Sequence, residues 1–281
     1  MTSQEKKQLQ ITACKVRMGI IASTHAAKCG HPGGSLSAAD MFTYLYNKEL
    51  NVNPADPKWE DRDRFVLSKG HCAPGLYAAL AHRGFFPVED LLTLRKAGSY
   101  LQGHPNMNTV PGVDMSTGSL GQGISTACGM ALAAKAQGKD YRVYTLLGDG
   151  ETQEGQVWEA CMFASHYKLD NLVVIIDNNG LQIDGDVAKV MSPYPYKEKL
   201  EGFGFHVEAI DGHDFDQIEA ALAAAKAVKG KPTAIVMSTV KGKDVSFIEN
   251  NAGWHGVAPN DALYEQAMGE LNAKLAELEG M

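Results

Sequence analysis

The sequence predicts an α/β protein with a three-layer, mainly parallel sheet and helices on both faces. Segments typical of strands and helices alternate regularly from residue 141 onward. "NLVVIID" (171–177) and "TAIVMST" (233–239) are nearly continuous apolar runs, which suits parallel strands that are buried on both faces. Strands that alternate with helices connect most simply as a parallel sheet covered on both sides.

The first half of the chain is predicted to be mainly helical. Apolar residues spaced three and four apart, from Leu9 to Ile21, predict a helix over residues 4–28. The other elements predicted in this half are the short strand "RFVLS" (64–68) and helices over 36–47, 73–82, 88–96 and 120–137.

The second half follows the strand–helix alternation. Asp214 is predicted to cap a helix that runs to about residue 228, with Gln217 at the capping-box position. Segments rich in Pro and Gly are predicted to be loops within one domain that spans residues 1–281. The predicted loops are 51–62, 98–119, 178–205 and 241–259. The remaining elements predicted here are strands at 141–147 and 206–210 and helices over 154–167 and 260–278.

Composition and charge argue against several classes of partner. The 281 residues are 44% hydrophobic and 21% charged, which is ordinary for a globular protein. A formal net charge of −7 argues against a nucleic-acid-binding surface. No apolar run reaches the roughly 18 residues of a membrane span, and the first ten residues lack the apolar core of a signal peptide. Because the five cysteines are odd in number and form no CxxC pair, we expect reduced thiols in a cytoplasmic protein.

Two predicted strands end in polar segments that contain glycine, "LLGDGETQEG" and "IIDNNGLQIDG". If these strands are adjacent and parallel, Asp149 and Asn179 reach the same edge of the sheet, where such proteins bind ligands. Carboxylate and amide oxygens suit Mg²⁺ or Ca²⁺, and the helix that begins near Glu154 points its positive end to the same place. Either segment alone is typical of an ordinary turn. Together, they predict a site for a metal and a phosphate group.

The motifs "CGHPGGS" and "QGHPNMN" place His31 and His104 between a glycine and a proline. Glycine permits unusual backbone angles and proline restricts the residue before it, so each imidazole is predicted to stand on a stiff loop. Five of the nine histidines adjoin a glycine, against roughly one expected at average glycine content. One of the five, His213, precedes a predicted helix cap, which favours a structural role. The other four, which include His71 and His255, are predicted to face a ligand rather than to be ordinary surface histidines.

The order of these motifs resembles the amino-terminal half of transketolase, from about residue 20 to residue 260. The matching segments are "GHPGGSLS", "SKGHCAPGLYA", "GHPN", "STGSLGQG", "GDGETQEG", "DNNGLQIDG" and "WHG". The resemblance implies the thiamine diphosphate-binding fold, with thiamine diphosphate and Mg²⁺ (or Ca²⁺ or Mn²⁺) as cofactors. It also implies the transfer of a two-carbon ketol unit from a ketose, or ketose phosphate, to an aldose.

The resemblance further implies roles for individual residues around the cofactor. Asp149, Asn179 and the backbone carbonyl of Leu181 would ligate the metal. Glu154 would link the two active sites of a dimer. The implied cofactor-binding residues are His71, Gly118, Ser119, Leu120, Gly150, Glu154, Asn179, Ile183 and His255.

Three histidines are the catalytic residues that the resemblance implies. His31 and His255 would transfer protons at the C3 hydroxyl of the donor sugar, and His104 would hold its C1 hydroxyl. Neutral imidazoles suit both tasks near pH 7.

The resemblance implies a partner chain as well. In transketolase, a glutamate and an aromatic pocket for the aminopyrimidine ring of the cofactor come from a second, pyrimidine-binding domain. The chain therefore resembles the amino-terminal subunit of a split transketolase. We expect it to be inactive alone, to self-associate, and to form an α₂β₂ assembly with a separate pyrimidine-binding carboxy-terminal subunit.

Several alternatives stay open. A nicotinamide-dependent dehydrogenase would need GxGxxG after a strand, and "GSLGQG" has that composition without that spacing. A zinc hydrolase would need a pairing such as HxxxH or HExxH, which the sequence lacks. The motifs also fit a cofactor-binding subunit without catalytic function. They fit a related thiamine diphosphate enzyme as well, such as one like deoxyxylulose phosphate synthase or a transketolase for an unusual sugar. The sequence does not identify the sugar.

Overall fold

A parallel five-stranded sheet lies at the centre of the computed structural model, which describes residues 1–280. The strands of the described chain are β1 (Arg64–Leu67), β2 (Val143–Gly148), β3 (Leu172–Asn178), β4 (Leu181–Gln182), β5 (Gly185–Asp186), β6 (His206–Asp211) and β7 (Thr233–Ser238). β4 and β5 form a separate antiparallel hairpin. The central sheet has the order β1-β2-β3-β7-β6, and every neighbouring pair is parallel.

Helices connect these strands and cover the sheet. The α-helices are α1 (Ser3–Ala27), α2 (Pro32–Ser37), α3 (Ala39–Tyr44), α4 (Ala73–Arg83), α5 (Gly123–Ala136), α6 (Gly155–His166), α7 (Val187–Met191), α8 (Tyr196–Gly202), α9 (Phe215–Ala227) and α10 (Asp261–Gly280). Shorter helical turns lie between them, 3₁₀ at Gly70–Cys72, Val88–Thr93, Gly150–Gln153 and Ala252–Trp254, and π at Leu45–Glu49. Met281, the last residue of the predicted domain, lies outside the described residues.

The sheet buries its two faces in two separate apolar cores. One core contains residues of α1, α3, α4, α9 and α10, and the other contains residues of α5, α6 and α8. β3 contributes to both, since Val173 and Ile175 lie in the first core and Val174 and Ile176 lie in the second. Each such buried side chain contributes roughly 1.5–3 kcal/mol by its removal from water. The predicted three-layer architecture is confirmed, and it explains why β3 is apolar from Leu172 to Ile176.

Residues 178–205, predicted to be a loop, contain the hairpin of β4 and β5 and the helices α7 and α8. Two glycines with positive φ permit the turns here: Gly180 precedes β4, and Gly185 follows the turn between β4 and β5. The buried side chains of Tyr196 and Leu200 in α8 pack into the second core. Helices of five and seven residues are too short to show a periodic apolar pattern, so the sequence did not predict them.

Local details differ at three other predicted elements. The helix predicted over 36–47 begins at Pro32, where proline suits the first turn, and continues through α3 into the π turn. The predicted helix over 88–96 is a 3₁₀ segment. Asp214 caps α9, but the predicted capping box is wrong, because the Gln217 side chain accepts a hydrogen bond from the Asp211 N–H at 2.9 Å.

Within residues 1–280, no helix combines the length and the apolar character that a membrane crossing requires.

Candidate active site

The carboxyl ends of β2 and β3 open into a cavity of about 380 Å³, called the main cavity below. Parallel pairing places Gly148 beside Asp177, so the segments that follow these two strands share one edge of the sheet, as expected. The N-terminus of α6 lies at the same edge and directs the positive end of a 12-residue helix toward it. The predicted site residues that line the main cavity are His31, His71, Gly118, Leu120, Asp149, Gly150, Glu154, Asn179, Leu181, Ile183 and His255.

Two predicted site residues lie outside the main cavity. His104 lines an adjoining cavity together with Arg95 and Asn106. The two cavities are close together at Gly118. This residue lines the main cavity, and a Cβ atom there would lie 3.1 Å from the Cδ2 atom of His104. Ser119 is exposed, and its backbone carbonyl accepts a hydrogen bond from the Gln122 N–H at 3.3 Å. The structure therefore brings His104 next to the other histidines without placing it among them.

Asp149 is the carboxylate of the predicted metal site, and it is almost fully buried. Its two oxygens accept hydrogen bonds from the backbone N–H groups of Gly150 at 2.7 Å and Gly180 at 2.5 Å. Burial, together with the negative charge of Asp177, raises the pKa of Asp149 to about 6. A bound cation would favour the ionised form of this group, since opposite charge stabilises it.

Asn179 is oriented by two hydrogen bonds. Its Nδ2 donates to Asp177 Oδ2 at 3.2 Å, and its Oδ1 accepts from the Leu181 N–H at 3.1 Å. These partners assign which end of the amide is the oxygen. The amide oxygen and the Leu181 carbonyl oxygen both belong to the segment that follows β3.

The donor set fits a hard divalent cation. Asp149, Asn179 and Leu181 offer one carboxylate, one amide oxygen and one carbonyl oxygen at the main cavity. Across residues 1–280, no group of three or more His, Cys, Asp or Glu side chains is arranged to hold a metal. A set with one charged ligand leaves coordination positions for phosphate and water oxygens, as Mg²⁺ commonly requires.

Lys241 is a site residue that the sequence analysis missed. Its side chain is 2% exposed, and its Nζ donates to the Leu181 carbonyl at 3.0 Å and to His255 Nδ1 at 3.0 Å. Both partners are neutral, so the ammonium group has no carboxylate bonded to it. Burial lowers the pKa of Lys241, and the positive charge of Lys69 adds to this effect. A buried ammonium group with neutral partners is the feature expected at an anion site, and its position just after β7 is the signal that could have revealed it.

Beneath the main cavity, Lys69 and Asp177 form a buried ion pair. Lys69 Nζ also donates to the Gly34 carbonyl at 2.9 Å, and the Asp177 carboxylate accepts from the hydroxyl groups of Ser37 and Thr239. Although burial alone would raise it, the Lys69 charge and these hydrogen bonds hold the pKa of Asp177 below its usual range. The pair is therefore neutral overall, whereas Lys241 has no carboxylate among its hydrogen-bond partners.

Glu151 is a second residue that the sequence analysis did not single out. Its buried carboxylate accepts hydrogen bonds from Ser68 Oγ and from the backbone N–H groups of Gly121 at 2.9 Å and Gly148 at 3.1 Å. Burial raises the pKa of Glu151. These bonds tie the loop before α5 to the end of β2. Gly121 has a φ of +79°, and a Cβ atom there would lie 2.8 Å from the Cβ of Glu154, so only glycine fits.

Three histidines form a triangle on one wall of the main cavity. Ring centroids are 5.1 Å apart for His31 and His71, 5.4 Å for His31 and His255, and 5.1 Å for His71 and His255. The Nδ1 atom of His31 is buried without a hydrogen-bond partner. His255 Nδ1 accepts from the Lys241 ammonium, which assigns the proton of the neutral ring to Nε2. All three rings line the main cavity, where they can contact a ligand.

Burial and nearby positive charge keep these imidazoles neutral. Burial, with Arg95 as the next cause, lowers the pKa of His31 to about 4. Burial, with Lys241 as the next cause, lowers the pKa of His255 to about 3. An anion bound at Lys241 would raise both pKa values toward the range that suits proton transfer, because it would offset that charge.

Comparison with known proteins finds matches to transketolases. Residues 8–274 match the family described as the thiamine diphosphate binding domain of transketolase. One subunit of the 6-deoxy-6-sulfo-D-fructose transketolase of Clostridium sp. (strain MSTE9) is 43% identical, over 96% of this chain and 98% of the relative. One subunit of the apulose-4-phosphate transketolase of Phocaeicola vulgatus is 41% identical, over 96% of both chains.

Solved structures show the same relationship. The transketolase of Campylobacter jejuni superposes with a TM-score of 0.89 at 35% identity, over 99% of this chain and 46% of that one. The chain thus matches the two subunits over nearly their whole length and spans less than half of the C. jejuni enzyme.

The buried pair yields a stability prediction. Lys69→Met should lower the free energy of unfolding by about 3–5 kcal/mol, because it leaves Asp177 buried without its counter-ion. Urea denaturation measures the effect. Lys135→Met is the control, since it breaks the half-exposed pair with Asp170 and should cost about 1 kcal/mol or less. Equal losses in the two variants would contradict the central role of the Lys69–Asp177 pair.

Proposed function

The chain belongs to the transketolase family, matching its thiamine diphosphate-binding domain, and from this premise we propose that it is one subunit of a two-chain transketolase. The proposed reaction transfers a two-carbon ketol unit from a ketose or ketose phosphate to an aldose. The observation that carries this proposal is the pairing, in one cavity, of the Lys241 ammonium group with the oxygen donors around Asp149. That combination suits a metal-bound diphosphate.

The cofactor proposal assigns the polar groups of the main cavity. Asp149, Asn179 and the Leu181 carbonyl would hold a divalent cation, with Mg²⁺ as the expected metal. Lys241 and the N-terminus of α6 would hold the diphosphate, since both present positive charge to it. Bound thiamine diphosphate supplies the electron sink that allows a carbon–carbon bond of the ketose to break.

The apolar and glycine residues of the main cavity are proposed to receive the rest of the cofactor. Leu120 and Ile183 line the cavity with exposed side chains and would contact its rings. Gly150 also lines the cavity, and a Cβ atom there would lie 3.0 Å from the Cβ of Gln182, so a side chain at this position would crowd Gln182. His71 and Gly118 would complete this wall, as the resemblance implies.

The histidines are proposed to act on the sugar. His31 and His255 would move a proton at the C3 hydroxyl of the donor, and their neutral rings can accept one. His104 would hold the C1 hydroxyl from the adjoining cavity. This division of tasks agrees with a triangle of three histidines in the main cavity and a fourth histidine beside it.

Exposed apolar residues on α6 and beside the main cavity support the proposed partners. Met162 and Phe163 on α6 and Tyr167 just after it are exposed, and Ile183 and Met191 are 66% and 65% exposed near the cavity. Clustered exposed apolar side chains mark surfaces that another chain covers. We propose that the covering chains are a second copy and a pyrimidine-binding subunit, in an α₂β₂ assembly.

The position of Glu154 fits the proposed assembly. Glu154, the residue expected to link two active sites, is exposed at the start of α6 rather than buried within the chain.

The five cysteines are unpaired, which supports our proposal that the protein works in the cytoplasm.

The metal proposal predicts the effect of one substitution. Asp149→Ala should abolish Mg²⁺-dependent binding of thiamine diphosphate, because it removes the one charged ligand of the proposed site. Isothermal titration calorimetry measures the affinity. Asp184→Ala is the control, since it removes an exposed carboxylate from the turn between β4 and β5. Wild-type affinity in Asp149→Ala, at the same Mg²⁺ concentration, would show that the site is misplaced.

The histidine roles predict two different kinetic effects. His104→Ala should lower turnover and leave thiamine diphosphate affinity nearly unchanged, whereas His71→Ala should weaken that affinity. Loss of His31 or His255 should lower kcat by roughly 10²–10⁴-fold if either transfers protons. Steady-state kinetics and calorimetry on the assembled enzyme separate these effects. Equal losses of cofactor affinity in all four variants would contradict the assignment.

A reconstitution experiment tests the two-chain proposal. The purified chain, with thiamine diphosphate, Mg²⁺ and a ketose–aldose pair, should show no transfer until the pyrimidine-binding subunit is added. Association of the two chains should strengthen when cofactor and metal are present, because a ligand bound between chains stabilises their complex. Full turnover by the chain alone would overturn the proposal.

A further inference from the structure

A buried polar cluster of Arg17, Asp40 and His213 lies outside the main cavity and lines a small cavity of about 100 Å³. Arg17 makes a bidentate contact with Asp40, Nη1 to Oδ1 at 3.0 Å and Nη2 to Oδ2 at 2.6 Å. The Asp40 carboxylate also contacts His213 Nδ1 at 2.7 Å. Although burial alone would raise it, the Arg17 charge and the His213 hydrogen bond hold the pKa of Asp40 far below its usual range. The Asp40 carboxylate therefore stays ionised and accepts a hydrogen bond from His213.

The other nitrogen of His213 contacts the protein backbone. His213 Nε2 accepts a hydrogen bond from the Val240 N–H at 2.9 Å. Because a backbone N–H only donates, Nε2 carries no proton in this arrangement, and the ring proton lies on Nδ1 toward Asp40. Asp40 thereby selects the tautomer of His213 that can hold Val240.

The backbone held in this way carries Lys241. Val240 directly precedes Lys241, and on the other side Arg17 Nε lies 3.2 Å from the Asp244 carboxylate. The Gly242 N–H donates to the Gly33 carbonyl at 3.0 Å, which ties the same turn to α2. The Lys241 side chain is fully enclosed, so its ammonium group reaches the main cavity only if this turn stays in place.

We propose that His213 is a positioning residue, which holds the Val240 N–H and thereby sets the location of the Lys241 ammonium group in the main cavity. The inference rests on the proposed function, in which Lys241 binds the diphosphate. It assigns a role in ligand binding to a histidine that lies outside the main cavity. A displacement of about 1 Å is enough to impair such a site, because the hydrogen bonds of Lys241 are 3.0 Å long and would be lost at that displacement.

Two substitutions separate the two contacts of His213. In His213→Gln, the side-chain oxygen can still accept from the Val240 N–H near the position of Nε2. In His213→Asn, the side-chain nitrogen can still donate to Asp40 near the position of Nδ1, but nothing reaches Val240. The probe is inorganic pyrophosphate with Mg²⁺, and calorimetry on the full chain measures its affinity. We expect a loss of about tenfold or more in His213→Asn and a much smaller loss in His213→Gln.

A double-mutant cycle with Lys241→Met tests whether His213 acts through Lys241. Lys241→Met should itself weaken pyrophosphate binding, and His213→Asn should then cause no further loss. A merely structural role would lower the melting temperature and reduce affinity equally in both backgrounds. That equality would overturn the inference, as would wild-type affinity in either His213→Asn or Lys241→Met.

The remaining outcomes are also decisive. If His213→Asn does not fold, Asp40→Asn replaces it, since this change removes the charge that selects the His213 tautomer and should weaken pyrophosphate binding in the same way. Unchanged affinity in Asp40→Asn would overturn the inference. If the wild-type chain binds neither pyrophosphate nor thiamine diphosphate, the proposed function fails. If it binds both and His213→Asn binds them equally well, only the role of His213 fails.

Discussion

The buried ion pair of Lys69 and Asp177 joins the elements on which the main cavity depends. Lys69 follows β1 and Asp177 lies near the end of β3, so the pair connects strands that are not neighbours in the sheet. Its hydrogen bonds reach α2 through Ser37 and the end of β7 through Thr239. Breaking one partner of such a pair is costly, because the other charge stays buried. The Lys69–Asp177 pair and its hydrogen bonds therefore hold together the segments that form the walls of the cavity.

The same pair determines the charge of the cavity. Asp177 pairs with Lys69 and orients Asn179, and it makes no hydrogen bond to Lys241. Lys241 has only a carbonyl and an imidazole nitrogen as hydrogen-bond partners. This ammonium group favours an anion, and its charge adds to the effect of burial, which lowers the pKa of His255 to about 3. An anion bound at Lys241 would therefore also change the protonation of His255.

Residues outside the main cavity hold the segments that carry its lining residues. Arg17 and Asp40, on α1 and α3, and His213, before α9, anchor both sides of the turn that carries Lys241. On the opposite side, Glu151 ties the loop before α5 to the end of β2. Buried polar groups with satisfied hydrogen bonds restrict motion in this way because each lost contact leaves an unpaired group.

The sequence by itself determined the layers, the strands of the central sheet and the segments that contribute to the site. The apolar runs of β3 and β7 indicate burial on both faces, and the glycine-containing segments after β2 and β3 indicate a ligand edge. These signals are local, so one segment at a time is sufficient to detect them. The short helices α7 and α8 escaped detection because so few residues show no period.

Only the tertiary structure decided which side chains meet. His31, His71 and His255 come from three distant segments and form one triangle, whereas His104 lies in the adjoining cavity. Lys241 carries no motif, and its role follows from burial beside neutral partners. Contacts between residues far apart in the chain depend on strand order and packing, which no local pattern of residues encodes. For this reason the sequence indicated the chemistry of the site, and the fold determined its charge and geometry.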